Sequence, residues 1–236
     1  MKTGTGQMMR WMRTVGALLG AVVLAGCAEG PEPAPLQVEL YQAGQQAIAT
    51  RTQARDAGTQ PVPTRAFLDS LDVEVQEMVV ERSNVTAYVI KHFETRDNLP
   101  GQVQVWRTND NFSIAMRNGV LISTRGFWGD LLSSSVQVSG SEPGPSHDGE
   151  HIQMILARDN RELPFAFGCE LSELGQQTIE IVERRHTTTH VRQSCEGRKG
   201  PITNDYWVDR RRGVVMQSRQ WAGPNIGYLR FRRLTD

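Results

Sequence analysis

Residues 102–124 read Gln-Val-Gln-Val-Trp-Arg-Thr-Asn-Asp-Asn-Phe-Ser-Ile-Ala-Met-Arg-Asn-Gly-Val-Leu-Ile-Ser-Thr. From Gln102 to Thr108 polar and apolar side chains alternate, the period of two that a half-buried strand imposes. Asn109-Asp110 turns the chain into a second apolar run, Phe112 to Met116. Asn118-Gly119 is the strongest hairpin signal in the chain, because both positions tolerate positive φ, and it leads into Val120 to Thr124. Three short strands joined by tight turns make an antiparallel sheet.

The same texture continues outward. Thr86 to Phe93 alternates before this stretch; His151 to Arg158, Phe165 to Glu170, Gln177 to Cys195, Tyr206 to Asp209, Gly213 to Gln220 and Ile226 to Phe231 resume it afterwards. The run Thr178 to Val191 is long for one strand, and reads as a strand wrapping a curved sheet or as two with a bend. Ser133 to Gly149, mostly Ser, Gly, Pro and acids, reads as a surface loop. No repeat of 20–50 residues is present, which excludes solenoids and propellers.

Upstream the pattern changes. Leu36, Leu40, Ala43, Ala47 and Ile48 follow a helical period up to Arg55, and Asp56-Ala-Gly58 with Pro61 and Pro63 stops it. A second short helix is expected from Thr64, as N-cap, through Ala66, Phe67 and Leu71. The expected fold is therefore mainly β within the α+β class: a curved antiparallel sheet or half-barrel with one or two N-terminal helices.

The first 26 residues are of another kind. Lys2, Arg10 and Arg13 stand without an acid, followed by the uncharged apolar stretch Thr14 to Gly26, the layout of a secretory signal. That stretch is too short for a bilayer core, which needs about 20 residues. Leu24-Ala25-Gly26-Cys27 resembles the lipobox of bacterial lipoproteins, in which the cysteine is acylated and becomes the mature N-terminus. Several acyl chains anchor durably where one does not. Ala28 follows the cysteine, which favours the outer membrane, facing the periplasm. Residues 28–35 alternate prolines with acids and form a semi-rigid tether. The division expected is thus 1–26 signal peptide, 27–35 lipidated cysteine and tether, and 36–236 a single β-rich periplasmic domain.

Charge and cysteines agree with export. The whole chain carries 26 basic and 26 acidic residues, and loss of the signal leaves 23 against 26, a net −3. That balance disfavours nucleic acid as a partner. With Cys27 acylated, Cys169 and Cys195 remain, an even number in an oxidising compartment. Their disulfide would close a loop of about 27 residues and stabilise by roughly 3.5 kcal/mol; two reduced buried thiols are the alternative. No Cys-x-x-Cys spacing suggests a metal.

Asn118-Gly119-x-Leu121-x-x-Thr124-x-Gly126 followed by Gly129-Asp130-Leu131 resembles the centre of the YjbF/GfcB lipoprotein family. Asn204-Asp-Tyr206-Trp207-Val-Asp209, then Gly213-x-Val-x-Gln-Ser218-Arg-Gln220, is similar to its C-terminal block. The lipobox and the Cys169/Cys195 pair are in register with both. The chain departs from the family at Arg210-Arg-Arg212 and in the Gly/Ser/Pro-rich loop at 139–149. The resemblance implies a role in making or exporting extracellular polysaccharide such as group 4 capsule. It also implies a curved antiparallel sheet with helices on one side, related in shape to the half-barrels of LolA and LolB.

Catalytic motifs are not legible. There is no Gly-x-Ser-x-Gly elbow, phosphate-binding glycine loop or His-Glu-x-x-His, and no cofactor is implied. His147 and His151, with Asp148 and Glu150 between them, look metal-like but sit among Ser, Gly and Pro residues that would not pre-organise ligands. His186 and His190 share a strand face with threonines and read as structural. Arg125, Trp128 and Asp130 could together hold a sugar or a partner, the ring stacking on C–H groups; the alternative is that Trp128 closes one end of the core. Tyr206 and Trp207 read as core. Three functional classes follow: a non-catalytic accessory of polysaccharide export binding glycan or a partner protein, a carrier of lipid or acylated cargo in a concave sheet, and a polysaccharide-modifying enzyme with paired carboxylates.

Overall fold

A computed structural model describes residues 63–235, all within the compact unit Gln42–Asp236. The signal segment, Cys27, the tether and the expected helix at Leu36 to Arg55 lie outside the described residues. Among those described, no helix is long and apolar enough to cross a membrane.

The described chain opens with one short helix, α1 (Arg65–Asp69), whose N-cap is Thr64; its Oγ1 accepts a hydrogen bond from Phe67 N at 3.4 Å. Twelve strands follow: β1 (Val75–Val80), β2 (Val85–Thr95), β3 (Val103–Arg107), β4 (Ser113–Arg117), β5 (Val120–Arg125), β6 (Leu131–Ser134), β7 (Gly149–Leu156), β8 (Glu162–Ile181), β9 (Arg184–Gly197), β10 (Ile202–Asp209), β11 (Val214–Trp221) and β12 (Tyr228–Arg233). They form one sheet in the order β5-β4-β3-β2-β1-β12-β11-β10-β9-β8-β7-β6, every pairing antiparallel. The terminal strands β5 and β6 are consecutive in sequence, so the sheet curls until its two edges meet and nearly closes a barrel. Extra residues on β2, β5, β6, β8 and β11 shift the register and bend it, as an extra residue on one strand increases local twist and curvature.

The expected mainly β fold with a curved antiparallel sheet is therefore present, and the curl exceeds a half-barrel. The long run from Thr178 resolves into two strands: β8 and β9 meet at a tight turn where Val182 (φ 42°) and Glu183 (φ 65°) both take left-handed backbone. This is the geometry that Asn-Gly supplies at 118–119 without strain (φ 48° and 83°). A valine tolerates it here because its side chain packs with Leu68, Val75, Ile90, Ile181, Met216 and Leu234, a small cluster outside the sheet that also seats α1.

The inner face carries the main core: Met78, Val89, Trp106, Ile114, Leu229 and Phe231 on one side, and Phe165, Phe167, Cys169, Cys195 and Ile155 on the other. Trp106 is fully buried, so the face of β3 that turns inward is the one bearing Gln102 and Gln104, not the one bearing Val103 and Val105. Outward, charged side chains pair: Glu77 on β1 with Arg232 on neighbouring β12 at 2.8 Å, and Glu81, just past β1, with Arg219 on β11 at 2.9 Å.

Candidate functional site

The two ends of the barrel differ. At the far end, Gly126 to Asp130 carries the chain from β5 to β6, and side chains close the seam. Arg125 Nη1 donates to Thr124 O at 2.5 Å and to Leu131 O at 3.2 Å, while Nη2 donates to Leu132 O at 3.2 Å. Asp130, buried, accepts from Thr124 Oγ1 at 2.6 Å, Gly126 N at 3.0 Å and Phe127 N at 3.2 Å. Thr124 Oγ1 in turn accepts from Leu131 N at 3.0 Å. Arg125 and Asp130 are thus brought together as parts of the closure. Trp128 stands apart from them, 69% exposed, with the Arg158 guanidinium 5.8 Å from its ring, so it does not cap the core.

Just inside this end, Cys169 and Cys195 are directly opposite on β8 and β9 and joined by a disulfide. Phe165 and Phe167 pack on Trp221 beside it. His151 projects inward from β7 rather than lying in the preceding loop, and burial holds its pKa down at about 4, opposed in part by the nearby Gln193 side chain. Its Nε2 meets Ser134 Oγ at 2.7 Å, and its Nδ1 has no partner. One donor atom from each of His151, Cys169 and Cys195 lies within 4.8 Å of the others. Sulfurs bonded to each other offer no thiolate, so in this state the trio is a packing contact and not a metal centre. His190 pairs with Asp205 at 2.8 Å and stacks on Trp207, which lies half-buried on the outer face instead of in the core; Tyr206 is fully buried.

The opposite end is a mouth, formed where β1, β3, β5 and β11 begin and β4 and β12 end. A recess of about 330 Å³ opens there, in the size range of small-molecule pockets (roughly 300–1,000 Å³). Gln76, Gln102, Gln104, Arg96 and Arg233 supply its polar wall, and Met116 with Phe231 its apolar floor. The Asn118-Gly119 turn builds the rim. Asn118 Oδ1 accepts from Gln102 N at 2.8 Å, and its Nδ2 donates to Ser139 O at 2.8 Å and Glu142 O at 2.9 Å. One side chain thereby holds the 139–144 loop against the mouth. Gly119 has φ 83°, and a Cβ there would come within 2.5 Å of Val215 Cγ2, so only glycine fits.

Gln76 is 6% exposed, yet among the described residues no group hydrogen-bonds its side-chain amide. Arg233 is ion-paired with Glu74, but its buried Nε has no partner. Sequence reading missed these residues because glutamine alternating with valine looks like an outward polar face. The signal that could have found them is Trp106, which shares the Gln102 and Gln104 face and forces it inward.

Comparison with protein-family models matches residues 44–234 to YjbF, the group 4 capsule polysaccharide lipoprotein gfcB. The chain belongs to the YjbF family. Comparison with curated proteins gives no match. Among solved structures it is similar to the hypothetical lipoprotein YmcC from Escherichia coli (K12), with a TM-score of 0.63 and 17% identity over 88% of this chain and 98% of that one. The family ties the protein to the lipoproteins of the capsule and envelope machinery and points to a role in capsule or polysaccharide production. Most family-like residues named from the sequence have structural work. Asn204 Oδ1 accepts from Trp221 N at 2.8 Å, and Gln220 links Tyr206 Oη, Leu121 N and Gly119 O across the barrel. Asp209 Oδ1 accepts from Arg211 N and Arg212 N, at 3.1 and 3.2 Å, to shape the β10–β11 turn. Of the family-like residues, Asn118, Gly119, Gly213, Val215, Gln217 and Ser218 also border the recess.

Proposed function

We propose that this protein is a non-catalytic lipoprotein, acylated on Cys27 and held at the outer membrane facing the periplasm, that assists production or export of capsular or extracellular polysaccharide. Family membership supports the pathway. The observation that carries the mode of action is the recess at the mouth, lined by amides and cations rather than by hydrocarbon, which suits hydroxyl-rich glycan.

The carrier of acylated cargo is less favoured. An acyl chain needs an apolar cavity that stays open after folding, and here Trp106, Met78, Leu229, Phe231 and the Phe165/Phe167/Trp221 group fill the interior. Enzymatic modification is also less favoured. Glycoside hydrolysis uses two carboxylates flanking one bond, whereas Glu142 is the single carboxylate in the recess lining, 3.6 Å from Arg210.

The test is a clean deletion strain with polymer quantified separately in medium, cell surface and periplasm. Lost or misplaced polymer, restored by wild type but not by Cys27→Ala, is the expected outcome. Unchanged amount, location and chain length would overturn the proposal.

A further inference from the structure

The mouth holds a selective arrangement of charge as well as polar groups, and what it selects is the next question; the answer rests on the glycan-binding reading above. A glutamine amide offers one acceptor oxygen and two donor hydrogens, the mixture that sugar hydroxyls, donors and acceptors at once, require; Gln104 keeps its oxygen and one hydrogen, since its Nε2 donates to Glu94 at 2.7 Å. Gln76 is nine-tenths buried, faces the recess and has no partner among the described residues, so a polar group is presented without being satisfied from within. Arg233 also lines the recess, with its guanidinium ion-paired to Glu74. The Gln76 amide borders the recess, so a ligand there can take up its free donors and acceptor. Met116 and Phe231 provide the apolar surface on which the C–H face of a sugar ring rests.

The charges around the recess are unequal. Arg233 is paired with Glu74, which Lys91 also contacts, and Glu142 lies beside Arg210. Asp97, adjacent in sequence to Arg96, is engaged by Arg117, whose hydrogen bond holds the carboxyl down at about 2. Arg96 is exposed at the rim and, among the described residues, has no ion pair. An exposed cation at the lip of a neutral, amide-lined recess fits a ligand with one negative charge beside its hydroxyls. A phosphate or sulfate group buried in the recess would call for several convergent cations or backbone N–H groups; a monoanionic sugar carboxylate needs one.

We propose that the recess binds an acidic sugar residue, a uronate-type unit of a polysaccharide, with Gln76, Gln102 and Gln104 reading its hydroxyls and Arg96 pairing with its carboxylate.

The test uses the full lipoprotein solubilised in detergent and titrated calorimetrically with two defined probes, a glucuronate-containing tetrasaccharide and the neutral tetrasaccharide maltotetraose. The expected result is at least tenfold tighter binding of the acidic probe. Arg96→Gln should lose most of that preference while keeping the neutral affinity, and Gln76→Ala should weaken both probes about tenfold. Arg96 is exposed and Gln76 makes no internal bond, so neither variant threatens folding, and circular dichroism and melting curves verify this. Equal binding of both probes, unchanged by Arg96→Gln, would overturn the acidic preference. Failure of both probes to bind would overturn the assignment of the recess itself. The polysaccharide role is judged separately by polymer levels in the deletion strain, so the two readings fail independently.

Discussion

The two ends of this barrel are built from the same strands by opposite means. Where Gly126 to Asp130 joins β5 to β6, polar side chains are turned on the protein itself: Asp130 takes three donors, Arg125 spans the gap to two carbonyls, and a disulfide with an aromatic cluster lies behind them. At the mouth, Gln76 is nearly buried, borders an open recess and finds no internal partner, whereas the unpaired atoms behind the closure, His151 Nδ1 and Gln153 Oε1, are sealed inside. A closed end of this kind holds a fold together, and an open end with unsatisfied polar groups is available to a ligand. The lesson is that Arg125, Asp130 and many of the family-like residues near them are explained by closure, so function has to be sought at the other end.

This contrast makes quantitative demands. The largest effect is expected from Cys169→Ser with Cys195→Ser, which should lower the unfolding free energy by about 3.5 kcal/mol in urea titrations, the value for a loop of this length. A loss below about 1 kcal/mol would show that the closed end owes little to the disulfide. Next comes acid. His151 is neutral in the folded barrel with its pKa depressed from 6.5 to about 4, so the unfolded chain binds its proton first as pH falls. Its contribution to stability is complete above pH 6.5 and falls by about 3 kcal/mol between pH 6.5 and 4. Stability measured at pH 7, 5.5 and 4 should show this slope, and His151→Gln should flatten it. Asp130→Ala, which strands Thr124 Oγ1 and two backbone N–H groups, should cost about 2 kcal/mol. The smallest effects belong to the mouth: Gln76→Ala and Arg96→Gln should change stability by no more than about 0.5 kcal/mol. A larger loss there would mean that the mouth is structural too, and the contrast would fail.

How far the sequence reveals this depends on what covers each strand. The Asn118-Gly119 hairpin and the alternating strands around it were legible because one face is buried and the other wet, and Thr64 marked α1 through its cap. Strand β1 was not legible. Val75 to Val80 is buried on both faces, by the barrel inside and by α1 with the β8–β9 tip outside, so it shows no alternation. The β8–β9 turn was hidden because Val182-Glu183 carries no glycine or asparagine; tertiary packing of Val182 supports the turn in place of local preference. At the candidate site, Asn118 was readable as a turn residue but not as the anchor of the 139–144 loop. Gln76, Arg96 and Arg233 were not readable at all, because they come together only when the end of β2, β1 and β12 are laid side by side.

The most direct measurement combines structure and function in the cell. The deletion strain is complemented with the Gln76→Ala, Arg96→Gln double variant, protein level and melting temperature are confirmed unchanged, and surface polysaccharide is quantified against wild type. A marked fall in surface polymer with an intact fold is the expected result. Wild-type polymer levels from that variant would contradict the assignment of function to the mouth.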